Sequence, residues 1–419
     1  MRMRNWAGNV VFGATRIHRP RSVDEARQVV ATADQVKVLG SGHSFNRIAD
    51  TAGDLVLLDE LPRRLEVSAG QGTITVTGGI RYAELARELQ ARGLALANLA
   101  SLPHISVAGS CATGTHGSGD GLQGLASAVS AVRLITSDGE LLDLTRADDP
   151  DRFAGAVVGL GALGVVVDLT LTVEPAFEVA QWVYDDVPLD RIADGFDEVF
   201  GAAYSVSAFT NWSDDTASVW VKRRTDREDR AHPGGRWLDG RLADGPRHPV
   251  PGMSPRHCTE QLGVPGPWHE RLPHFRPDFT PSAGEELQSE LLLPREAAPE
   301  AVAAMRALGP RIAPLLLTSE IRTVAADDLW LSPAYGRDCV AVHCTWRPAT
   351  EEVRQAVALI EAELLPLGGR PHWGKLFELR PEAVGALYER GEDFRRLAAA
   401  LDPRSAFRNP FVEAAFPQP

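Results

Sequence analysis

Lysine is almost missing from this chain. It stands only at Lys37, Lys222 and Lys375, and arginine carries nearly all the remaining positive charge. A lysine kept against that background suggests a place that needs an ammonium rather than a guanidinium. Cysteine is scarce as well. Cys111, Cys258, Cys339 and Cys344 form no CxxC pair and have no metal-ligand spacing, which argues against a disulfide framework or a zinc site. The N-terminus, MRMRNWAGNVVFGATRIHRP, has no apolar run of signal-peptide or membrane-span length, so a cytoplasmic location away from membranes is expected. Positive charge is in deficit. The formal net charge of -13 argues against a nucleic-acid partner. Repeats and low-complexity tracts are absent too.

What is present is a globular composition, 44% hydrophobic and 24% charged, in 419 residues. That length calls for two domains. The first 180 residues or so alternate helix and strand signals, an α+β pattern. SVDEARQVVATAD opens on Ser22 with Glu25 three residues on, a capping box. VKVLG is a short buried strand, and TITVTGGI (73–80) a second. RYAELARELQARG (81–93) is an amphipathic helix ended by Gly93. Residues 128–144 are two strands joined at Asp138-Gly139, and 161–175 a long β-branched strand. Residues 222–257, crowded with Pro, Gly and charge, are expected to form a surface excursion. Three apolar strands follow, at 287–293, 315–324 and 339–346, with helical patterns expected between them.

Two segments point to a ligand. In VKVLGSGHSFN a strand runs into a Gly-Ser-Gly turn, where Gly40 and Gly42 let backbone N–H groups face an anion. This is not GxGxxG, and no helix opens after it. ASLPHISVAGSCATGTHGSG (100–119) is dense in Gly, Ser and Thr. It is either a flexible surface loop or a loop wrapped around a polar ligand. Two such loops flanking one strand-rich unit favour the ligand.

VLGSGHSFN, SLPHISVAGSCATGTHGSG and GALGVVVDLTL, in that order, resemble the vanillyl-alcohol-oxidase type of FAD enzymes. EELQSE, TSEIRTVAAD, WLSPAYGRD and RPHWGK resemble the alditol oxidases within it, xylitol oxidase included. The likeness covers essentially the whole chain. It implies a two-domain α+β, PCMH-type FAD-binding fold with an inserted substrate domain on a broad antiparallel sheet. The FAD domain would span 1–178, the substrate domain 179–378, and a C-terminal segment, 379–419, would return to the FAD domain. One FAD per chain is expected, covalently attached to His43, since a neutral imidazole is a competent nucleophile towards an electrophilic flavin methyl group. The implied FAD contacts are Gly40, Ser41, Gly42, His43, Ser44, Phe45, Ser101, Ser106, Gly109, Thr113, Gly114, Thr115, His116 and Val165. Cys111 stands where a small apolar residue is expected.

Strand periodicity adds an independent signal. Residues two apart share a face, so Glu320 lies with Arg322, and His343 with Thr345. Gln288 interrupts an apolar strand, and Lys375 follows Trp373 by two. Glu320 and Arg322 alone would more often be a structural ion pair. Brought together, these groups and Ser101 supply the acceptors, donors and ambivalent groups that a polyol needs. The resemblance assigns substrate contacts to Ser101, Gln288, Glu320, Arg322, Thr345 and Lys375, and catalytic roles to Lys375, Arg322, Glu320 and His343. It implies an oxidase that turns the terminal primary alcohol of an alditol into an aldose while O2 becomes hydrogen peroxide, acting as a monomer. Three other readings remain open: an aldonolactone-type dehydrogenase, an NADPH-dependent flavin reductase with no evident nicotinamide motif, and a flavin-carrying protein without turnover.

Overall fold

In the computed structural model, residues 3–68, 70–227, 234–277 and 286–418 are described. The helix Val23–Thr32 starts where the capping box places it. Ser22 Oγ accepts from Glu25 N at 3.1 Å, while the Glu25 carboxylate reaches back to Arg21 N at 2.7 Å. Strand Val36–Val38 pairs in parallel with Asp54–Val56, which pairs in parallel with Arg16–His18. Beside this small sheet lies an antiparallel one, ordered Leu65–Ser68, Thr73–Thr77, Val165–Thr172, Val129–Ile135, Leu141–Thr145. Gly139, at φ +82°, turns the last pair, and Gly93, at φ +68°, follows the helix Tyr82–Ala91.

From Glu178 onward the chain enters a ten-stranded sheet. Its centre runs Glu178–Pro188, Thr216–Arg224, Ser205–Thr210, Leu316–Val324, Cys339–Trp346, Leu287–Pro294, all antiparallel. Helices Ala298–Ile312 and Thr350–Leu364 cover one face, burying Val302, Met305, Val353 and Ile360 against Leu291, Ile321 and Val342. The last helices, Pro381–Gly385, Gly391–Leu401 and Pro410–Ala415, turn back to the first part of the chain. Phe394, Leu397 and Phe416 join one core with Leu85, Val132 and Phe153. Among the described residues no helix is long and apolar enough to cross a membrane.

The surface excursion expected at 222–257 starts later than composition suggests. Lys222, Arg223 and Arg224 are buried in the strand Thr216–Arg224. Lys222 and Arg224 show partners that a composition count cannot see. Lys222 donates to main-chain carbonyls, and Arg224 lies 3.6 Å over the Phe177 ring and pairs with Glu174 and Asp226.

Candidate active site

A large cavity of about 780 Å³ lies between the glycine-rich turns and the face of the ten-stranded sheet opposite helices Ala298–Ile312 and Thr350–Leu364. One wall is backbone. Gly42 adopts φ +70°, which a side chain would resist. A Cβ at Gly40 would stand 2.2 Å from Ser106 Oγ, so the close meeting of the two turns relies on glycine there and any side chain would push Ser106 aside. The N-terminus braces the His43 turn: Trp6 N donates to Gly42 O at 2.8 Å, and the Trp6 ring stacks on His43 at 4.3 Å. Asn46 Nδ2 donates to Trp373 O and Lys375 O at 2.8 and 2.9 Å, and Phe45 N to Gly374 O at 2.7 Å. The turn carrying His43 is thereby clamped to the segment carrying Lys375.

His43 Nε2 is buried and has no hydrogen-bond partner among the described residues. Burial, with His104 and Arg81 nearby, pushes this imidazole down to about 4, so it is neutral over the ordinary working range. A neutral, unpartnered ring nitrogen is the state in which imidazole is a nucleophile. The glycine cradle and the cavity's size suit a dinucleotide cofactor, and the donors are hydroxyl and main-chain groups, which suit a pyrophosphate.

The opposite wall is side chain, in rows set by register. Thr318, Thr345 and Gln288 lie abreast on three adjacent strands, and Glu320, His343 and Glu290 form the next row. Lys375 Nζ donates to Glu290 Oε2 at 2.6 Å and to His343 Nδ1 at 2.8 Å. His343 must then carry its proton on Nε2, which faces Thr345 Oγ1 at 3.0 Å. That leaves the Thr345 hydroxyl proton free to point into the cavity. Glu320 Oε2 takes Arg322 at 3.0 Å, and Arg322 lies 3.6 Å from Glu290. His116 Nε2 stands 3.3 Å from the same Glu290. Burial opposes ionisation of Glu290, yet Lys375, His116 and Arg322 hold it well below the usual carboxylate range. Burial and the Lys375 charge keep His343 and His372 neutral.

The residues singled out by motif and periodicity therefore come together. Ser101, Gln288, Glu320, Arg322, His343, Thr345 and Lys375 all line this cavity, as do residues 40–45, Ser106, Gly109, Thr113, Thr115 and His116. Gly114 and Val165 do not. Gly114, at φ +66°, packs under Pro333, and Val165 turns into a core with Val36, Val56 and Phe407, leaving Val166 on the cavity side. Sequence reasoning missed Glu290, the hub of the charged row, although it stands two residues after Gln288 on one strand face. It also missed His274, His372 and Asn46, for which no periodic signal exists.

Cofactor cradle and charged sheet face share one chamber, the arrangement of a flavin oxidoreductase with its substrate held by an inserted sheet. A model described as FAD binding domain matches residues 14–145, and one described as D-arabinono-1,4-lactone oxidase matches residues 285–415. The alditol oxidase of a Streptomyces species is 51% identical over 97% of this chain and 97% of its own. The L-gulono-1,4-lactone dehydrogenase of Mycobacterium tuberculosis is 30% identical over 97% of each. Among solved structures, cholesterol oxidase from B. sterolicum superposes with a TM-score of 0.77 at 15% identity, over 99% of this chain and 96% of that one. Chitooligosaccharide oxidase gives 0.74 at 13% identity, over 99% and 94%. These share the fold, a vanillyl-alcohol-oxidase-type FAD-binding fold. The chain belongs to the alditol oxidase family of FAD enzymes.

Proposed function

We propose that this protein oxidises the terminal primary alcohol of linear polyols, giving the aldose, with FAD carried covalently on His43 and O2 reduced to hydrogen peroxide. The observation that carries the reading is the placement of two polar sheet rows in the same cavity as the unpartnered His43 Nε2. FAD, when bound, would supply the acceptor for a hydride, which is two electrons with one proton, and would pass the two electrons on to O2, which with two protons becomes hydrogen peroxide. The chain supplies position and charge. Glu320 accepts a substrate hydroxyl, Arg322 and Lys375 donate, and Ser101, Gln288 and Thr345 serve either way. His343, neutral and tied to Lys375, orients Thr345. Residues 1–178 form the cofactor domain in this reading, 179–378 the substrate domain, and 379–419 the returning segment. The sheet entry at Glu178 and the helices packed on the first core support that division.

A panel of xylitol, sorbitol, glycerol and simple monohydric alcohols, read as peroxide formed and oxygen consumed, tests the function. The expected result is turnover of the alditols with one peroxide per oxygen. Equal turnover of monohydric alcohols would overturn the substrate assignment. Turnover only with an artificial electron acceptor would point to a dehydrogenase instead.

A further inference from the structure

The charged face holds a second lysine–imidazole chain, which the reading above leaves unused. Lys222 and Trp220 share a strand face with Phe209 and Glu320, because Phe209 pairs with Ser218 on one side and with Glu320 on the other. The His274 ring is wedged edge-on between Phe209 and Trp220, at 5.2 and 5.4 Å. Its main-chain N donates to Ser101 O at 3.3 Å. Its Nε2 lies 3.0 Å from Glu320 Oε1, and its Nδ1 lies 3.3 Å from Lys222 Nζ. Lys222 Nζ also faces Leu272 O and Pro273 O, so it has acceptors on every side and no donor.

The proton positions follow from these partners. Arg322 and His274 favour the ionised form of Glu320 strongly enough to overcome its burial. A carboxylate oxygen requires a donor, so His274 Nε2 carries hydrogen. Burial and the Lys222 charge oppose a second proton on the ring, which leaves Nδ1 as an acceptor. Lys222, as an ammonium with three acceptors around Nζ, can only donate to it.

We propose that His274, locked in its Nε2–H form by Lys222, is the positioning residue that aims Glu320 at the substrate hydroxyl. With Oε1 held by His274 and Oε2 by Arg322, the carboxylate cannot rotate, and each oxygen keeps a lone pair for a polyol. The aim is further tied to Ser101 through the main chain of His274. This rests on the assignment of Glu320 as a substrate acceptor.

The test is a mutant cycle on the FAD-loaded enzyme, with KM and kcat for xylitol measured separately. Glu320→Gln comes first: unchanged kinetics there would remove the acceptor role itself. Given a loss in Glu320→Gln, His274→Phe keeps the ring wedge and removes both hydrogen bonds. It is expected to lower kcat/KM by about tenfold or more, the scale of one hydrogen bond to a charged group. His274→Gln, which keeps a donor at the far end, should recover most of that loss. In the Glu320→Gln background His274→Phe should add little. Lys222→Met, away from the substrate, should lower kcat/KM in the same Glu320-dependent way, and it decides the matter if His274→Phe fails to accumulate. Wild-type kcat/KM in folded His274→Phe or Lys222→Met would overturn the proposal, as would losses that persist undiminished without the Glu320 carboxylate.

Discussion

The two walls of the cavity are built from opposite materials. Between 40 and 46, and again between 100 and 119, the sequence has no Asp, Glu, Lys or Arg. To the cavity that wall offers main-chain groups, hydroxyls and the histidines His43 and His116, and its shape depends on glycines that let the two turns approach, such as Gly40. The sheet wall has few glycines and a dense set of charges: Glu290, Glu320, Arg322 and Lys375 within a few ångströms of one another. A backbone wall holds a large ligand by many weak contacts and tolerates the loss of any one. A charged wall concentrates its effect in a few groups, so single substitutions there should be far more damaging to chemistry than to cofactor retention.

Lys375→Met should break that contrast most severely if it is wrong. The variant keeps most of the side-chain stem and removes the cation between Glu290 and His343. Flavin reduction by substrate, followed by stopped flow in protein that retains FAD, is expected to slow by about 10²-fold or more, the scale of one preorganised electrostatic group. Glu290 would be left buried with fewer partners, so a melting temperature below wild type is also expected. Adding Glu290→Gln should recover stability without recovering rate. Reduction at the wild-type rate in folded Lys375→Met would show that the charged wall does not act on the chemistry.

His43→Ala sharpens the comparison from the other side. Wild-type flavin should stay with the pellet after acid precipitation, whereas the variant's should appear in the supernatant. Because the rest of the glycine wall is untouched, the variant should still take up FAD reversibly and lose less turnover than Lys375→Met. Wild-type flavin found wholly in the acid supernatant would remove the covalent assignment.

The backbone wall was legible because its signal is local: glycine and serine spacing in VLGSGHSFN and in 100–119 states where the chain must turn. The charged wall was legible only in part. Period two placed Glu320 with Arg322 and His343 with Thr345, and the same rule applied once more to Gln288 would have reached Glu290. His274 and Lys222 were not reachable that way. Their meeting with Glu320 depends on strand order, Thr216–Arg224 beside Ser205–Thr210 beside Leu316–Val324, and on a loop folded over that face. Pairing between distant strands is not written in any one segment. Lysine scarcity was the one hint for Lys222, and it was a better guide than composition: Lys37 and Lys222 are fully buried, and Lys375 nearly so.

Lys37 completes the comparison, with the smallest expected effect. It belongs to the backbone wall and borders the cavity, with Nζ within 2.9–3.3 Å of Gly161 O, Phe407 O and Leu160 O, tying the strand Val36–Val38 to two distant segments. Unlike Lys375 it pairs with no carboxylate among the described residues, and burial pushes it down to about 7. The folded state therefore releases this proton near pH 7, while the unfolded chain holds it to about pH 10.4. Between those values the unfolded state binds more protons, so the contribution of Lys37 to stability rises with pH. The four buried thiols work against such a rise at alkaline pH, because their folded values stand above that of a free thiol. A difference from a variant cancels them. The melting temperature of wild type minus that of Lys37→Met should increase from pH 7 to pH 9, with kcat at pH 7 close to wild type in the FAD-loaded variant. A difference that stays flat from pH 7 to pH 9 would mean that the three carbonyls hold Lys37 as an ammonium throughout. A large loss of kcat would place a catalytic charge on the backbone wall and end the contrast between the two.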